Sequence, residues 1–73
     1  MTINILQTVL IPRDNFTQQE ASSWMVKNKI PIKKIDVKDN YYRYRQENPI
    51  DNAQYYSKKN KQNGIIFVYM YTL

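Results

Sequence analysis

Three tyrosines and two arginines fill the five positions from Tyr41 to Arg45, and no other run constrains the fold of this chain as tightly. Aromatic-rich alternation of this kind suits a β-strand, whose successive side chains point to opposite faces. Tyr42 and Tyr44 then share one face with Gln46, while Tyr41, Arg43 and Arg45 share the other. The first face can enter a core. The second offers two guanidinium forks beside an aromatic ring, a surface that suits phosphate, carboxylate or a stacked base. A sheet with one covered and one open face is therefore the expected frame.

The core must be small, because 73 residues make one domain, here residues 1–73, and bury a modest fraction of their surface. The sequence has no cysteine and no histidine, so it offers no disulfide, no thiolate zinc site and no imidazole base or metal ligand. Its carboxylates are Asp14, Glu20, Asp36, Asp39, Glu47 and Asp51, with no phosphate-binding glycine loop, nucleophile elbow or metal spacing around them. No catalytic residue, metal or cofactor is expected. The net charge is +5, with five basic and three acidic residues in 1–37 and six and three in 38–73, so the bias toward anionic partners is distributed rather than held in a tail. The longest apolar stretch, residues 65–73, is too short for a membrane-spanning helix, and the N-terminus lacks the basic and small-residue features of a signal peptide. A cytosolic setting without membrane contact is the expectation.

Residues 3–11 read as a strand in which Ile3, Ile5 and Val9 alternate with Asn4 and Thr8, ended by Pro12. Thr17 and Glu20 have capping-box spacing, with Phe16 placed as a hydrophobic staple. The helix this predicts, from 18 to 27 or 28, sets Ala21, Trp24, Met25 and Asn28 along one side, with Trp24 as the core anchor. Pro31 stops the helix. Residues 32–37 and the strand beginning at Tyr41 form a predicted hairpin across a turn at 38–40. Residues 53–59 fit one helical turn or an extended segment. A basic turn containing Lys58, Lys59 and Lys61 leads to Gly64, and residues 65–71, apolar on both faces, read as an interior strand. The predicted fold class is α+β: a mostly antiparallel four-stranded sheet with one helix across one face, in the order β-α-β-β-β.

Several of these elements, taken together, form a pattern. Residues 16–24, from Phe16 through Thr17 and Ala21 to Trp24, precede Lys34-Ile35-Asp36-Val37, the run from Asn40 to Gln46, and a last strand led by Gly64. This resembles a small domain of tailed-bacteriophage and large-DNA-virus proteins, over about three quarters of the chain. The resemblance implies an α+β fold, a viral or phage origin, and residence in the host cytoplasm or the virion. It carries no catalytic residues, and Ser22 and Ser23 stand where charged residues are common in the pattern.

The expected function is that of a non-catalytic binding module. In the leading reading, nucleic acid is held on a basic, tyrosine-bearing sheet face by Tyr41, Arg43, Arg45, Lys33, Lys34, Lys58, Lys59 and Lys61. In the alternative, a viral or host protein docks on a strand edge and on tyrosines such as Tyr41, Tyr55 and Tyr56, within a virion or as the target of inhibition. The bland counterpart places Tyr42 and Tyr44 in the core, pairs the arginines with Asp36 or Glu47, and leaves the lysines solvated as guards of exposed edges.

Overall fold

The computed structural model describes residues 3–72. Strand β1 (Ile3–Pro12) is followed by helix α1 (Gln18–Lys27), strands β2 (Lys34–Val37), β3 (Tyr41–Arg45) and β4 (Gln54–Lys59), and strand β5 (Ile66–Thr72). The strands form one sheet in the order β2-β3-β1-β5-β4, and every neighbouring pair is antiparallel. The fold is thus α+β with one helix, but the sheet has five strands where four were expected. The fifth is residues 54–59, which β5 templates through a six-residue ladder from Gln54 opposite Tyr71 to Lys59 opposite Ile66. A short polar segment takes its conformation from such a neighbour rather than from its own propensity. Leu73, at the end of the apolar run, lies outside the described residues.

Helix α1 begins as its sequence dictates. The backbone N–H of Glu20 donates to Thr17 Oγ1 at 3.1 Å, and the Thr17 N–H donates to Glu20 Oε1 at 2.9 Å, completing the capping box. Its end is a Schellman motif: Lys29 N–H donates to the Val26 carbonyl and Ile30 N–H to that of Met25, both at 3.0 Å, with Lys29 at φ 59°. Pro31 then follows a helix that has already been closed. At the other turn, Gly64 takes φ 78°, and a Cβ there would meet Pro12 Cγ at 3.2 Å, so the turn between β4 and β5 favours glycine.

The helix covers one face of the sheet. Val9, Ile11, Tyr42, Tyr44 and Ile65 from the sheet and Ala21 and Met25 from the helix form the buried core. Trp24 is only half-buried, tilted against Phe67 with ring centroids 6.0 Å apart, and Asn28 is exposed as the helix C-cap. The fully buried aromatic anchor is instead Tyr44, whose hydroxyl shares a 2.9 Å hydrogen bond with Ser22 Oγ. Strands β3, β1 and β5 are interior to the sheet, β5 as the apolar run of residues 65–71 predicts, and β3, between β2 and β1, has its core-facing rings closed off from both sides.

One irregularity sets what reaches the opposite face. The β1–β5 register shifts between Leu6 and Thr8, where the chain bulges at Gln7. A bulge inserts one residue and reverses the subsequent alternation. Ile5 therefore lies opposite Met70, on the helix-free face, while Val9 lies opposite Phe67, on the helix face. The single apolar face expected for Ile3, Ile5 and Val9 is split in two by this shift. Gln7 also ties down the connection that follows β3: its carbonyl accepts from Gln46 N–H at 2.8 Å, its side-chain amide donates to the Glu47 carbonyl at 3.0 Å, and its side-chain oxygen accepts from the Thr8 hydroxyl.

Candidate ligand-binding face

Cross-strand register assigns the helix-free face row by row. One row runs Asp36, Arg43, Leu10, Ile66, Lys59 across all five strands, and the next runs Lys34, Arg45, Thr8, Val68, Ser57. Tyr41, opposite Pro12, stands beyond the first row on β3, and Tyr55, opposite Met70, stands beyond the second on β4. The two tyrosines thus occupy opposite corners of a rectangle whose floor is Leu10, Thr8, Ile66 and Val68. Between them lies an open groove of about 550 Å³, lined among others by Tyr41, Arg43, Arg45, Pro49, Tyr55 and Val68. Lys38 closes its end next to Tyr41.

Asp36 is the one carboxylate in these rows. It accepts from Arg43 Nη2 at 2.9 Å and Nε at 3.3 Å, and Arg45 Nη2 stands 3.8 Å away. The hydrogen bond from Arg43, followed by the charges of Arg43, Lys34 and Arg45, holds the Asp36 carboxyl below the ordinary aspartate range. Arg43 is thereby fixed in place with much of its charge answered, whereas Arg45 meets the same carboxylate only through the longer 3.8 Å ion pair. Lys34, Lys38 and Lys59 make no ion pair among the described residues. Arg43, Arg45, Lys34 and Lys59 in these rows, with Lys38 at the groove's end, are five cations set against the one carboxylate of the rows, Asp36.

The sequence-nominated residues separate into groups. Tyr41, Arg43, Arg45, Lys34 and Lys59 share the helix-free face. Lys33 was expected to share a face with the arginines, but it precedes β2, and its ammonium lies 3.6 Å from Glu47 Oε1 and donates to the Gln46 carbonyl. Lys34, one residue on, holds the register position opposite Arg45 instead. Lys58, Lys59 and Lys61 do not form one basic turn: Lys58 and Lys59 belong to β4 and point to opposite faces, and only Lys61 is in the turn. Lys58 stands over the Tyr69 ring at 5.9 Å, beside a cluster in which Tyr56 stacks on Tyr69 at 5.2 Å. The Gln46 side-chain amide donates to the Pro31 carbonyl at 2.9 Å.

The groove floor was not visible in the sequence. Leu10 and Val68 read as ordinary apolar strand positions, and their placement on the open face depends on the Gln7 bulge and on the β1–β5 register. The one sequence signal for that bulge is a polar pair, Gln7-Thr8, inside an apolar strand, and both side chains are buried. Among the described residues no group of three or more His, Cys, Asp or Glu side chains could hold a metal ion, and no helix is long and apolar enough to cross a membrane. No family model, curated protein or solved structure matches the chain.

Proposed function

We propose that the protein is a non-catalytic binding module that takes nucleic acid on the helix-free face of its sheet. One observation carries this reading: the register brings Tyr41, Tyr55, Arg43 and Arg45 around one open groove with a largely apolar floor, and sets Lys34 beside Arg45 on the same face. Cations on a strand face supply phosphate attraction that is independent of sequence, and exposed rings supply base stacking. Asp36 keeps the Arg43 fork oriented and limits the charge, which suits a ligand that brings both phosphate and planar surface rather than a bare anion.

Titration of a fluorescein-labelled oligothymidylate across a salt series tests the proposal. The wild type should bind at low salt and weaken as salt rises. Lys34→Gln combined with Arg45→Gln removes two phosphate contacts and should flatten the log–log salt slope by about 1.4, at ~0.7 per contact on a single strand. Trp24, packed against the core on the opposite face, reports folding of the variant without interference. Absence of binding at low salt, or binding indifferent to salt, would reject the proposal.

A protein partner is the second reading, favoured by the open edge of β4. Asn60 N–H donates to the Ile65 carbonyl at 2.8 Å, so the antiparallel alternation turns the backbone groups of Tyr55, Ser57 and Lys59 away from β5. Those groups can extend the sheet onto an added strand. Under that reading Ser57→Pro, which removes an outward N–H, abolishes capture of the partner and leaves oligonucleotide binding unchanged.

A further inference from the structure

The corners of the helix-free face alternate in chemistry. Tyr41 with Lys38 stands at one corner, Tyr55 with Pro49 at the diagonal opposite, and the remaining two corners carry Arg45 with Lys34 and, on the far strand, Lys59. Tyr41 and Tyr55 are three strand spacings apart across the sheet and three same-face rows apart along it. At ~4.8 Å per strand and ~3.3 Å per residue this gives a diagonal of about 24 Å. The floor between them, Leu10, Thr8 and Val68, is largely apolar, and the arginines line its β3 side. A stacked strand advances ~3.4 Å per nucleotide, and one splayed over separate platforms roughly twice that, so the diagonal accommodates about four nucleotides.

We infer that the groove binds an unpaired strand of about four nucleotides, laid diagonally from Tyr41 to Tyr55, with each ring stacking a terminal base and Arg45, Arg43 and Lys34 following the backbone. This rests on the nucleic-acid reading above. The pairing requirement follows from the tyrosines: a ring lying on a sheet face reaches the face of a base only when that base is unstacked from its neighbours, which a duplex prevents. The length requirement follows from the diagonal, because a dinucleotide reaches one tyrosine and a tetranucleotide reaches both. Tyr55 is the more open platform, 47% exposed, and Tyr41 is half-buried against its strand neighbours.

The test is a binding series at low salt, repeated at rising salt to give the slope, with thymidine oligomers of two, four, six and ten nucleotides and a ten-base-pair duplex. Affinity for the wild type should rise steeply from two to four nucleotides and then flatten, and the duplex should bind more weakly than the unpaired ten-mer. Tyr41→Leu and Tyr55→Leu should each lower tetranucleotide affinity about tenfold, lower dinucleotide affinity less, and leave the salt slope unchanged, while Tyr41→Phe and Tyr55→Phe restore binding. Unfolding midpoints of the leucine variants establish that they fold, and the phenylalanine variants keep the test decisive where they do not. An even rise of affinity through ten nucleotides, a duplex bound as tightly as the single strand, or leucine variants that bind the tetranucleotide like wild type would overturn this inference while leaving the nucleic-acid reading in place. Absence of binding to every oligomer would overturn both.

Discussion

Tyr44 is the side chain on which the covered face depends, and its replacement by phenylalanine isolates a single interaction. The ring is fully buried at the centre of the sheet, with Val9 in register on β1 and Ile35 on β2. Its hydroxyl meets Ser22 Oγ at 2.9 Å, the direct polar link between helix and sheet. Tyr44→Phe keeps the ring and deletes the bond, which should cost about 1 kcal/mol, within the ~0.5–1.5 kcal/mol range of a net intramolecular hydrogen bond. For a domain of this length that is a fall of about 4–8 °C in the thermal midpoint. Ser22→Ala should cost a similar amount. The double variant should cost little more than either single change, because both remove the same bond, giving a coupling of about 1 kcal/mol in a double-mutant cycle. Truncation by Tyr44→Ala is a different perturbation: it opens a ring-sized cavity and should cost ~3–5 kcal/mol, a large share of the ~5–15 kcal/mol that holds a domain folded. Thermal unfolding followed by circular dichroism measures the wild type and all four variants. An unchanged midpoint in Tyr44→Phe, or strictly additive single changes, would show that Ser22 and Tyr44 are not partners and that the helix sits differently on the sheet.

Two further perturbations address the cap and the carboxylate. Thr17→Ala removes the hydroxyl that accepts from Glu20 N–H and should cost about 1 kcal/mol, read as a lower unfolding midpoint. Asp36 is held below its ordinary range by Arg43, so its contribution to stability is present above the unfolded carboxylate value of ~3.9 and is lost as pH falls through the lower folded value. Asp36→Asn should accordingly lower the midpoint at pH 6 and narrow its gap to wild type toward pH 2, and parallel curves would contradict the pairing. The same change leaves the arginines unanswered and should tighten oligonucleotide binding at low salt.

The faces of β3 were legible in the sequence because strand alternation has a period of two and leaves no freedom once a strand is formed: Tyr42 and Tyr44 went inward, Tyr41, Arg43 and Arg45 outward. The capping box was equally legible, since both of its hydrogen bonds lie within four residues. Trp24 was overrated as an anchor because helical spacing identifies a side of the helix and not the depth to which each residue on it sinks. Lys33 and Lys34 could not be told apart without the β2–β3 register, which decides which lysine stands opposite Arg45.

The sequence by itself determined whatever depends on chain-local geometry: the helix and its cap, the hairpin of β2 and β3, the two faces of Tyr41–Arg45, and the conformation of Gly64. Tertiary structure alone decided that residues 54–59 are a strand, that the chain crosses itself into the order β2-β3-β1-β5-β4, and that Leu10 and Val68 floor a groove between Tyr41 and Tyr55. Those outcomes rest on hydrogen bonds and register between residues far apart in sequence. A one-residue bulge at Gln7 is enough to change which side chains face the groove.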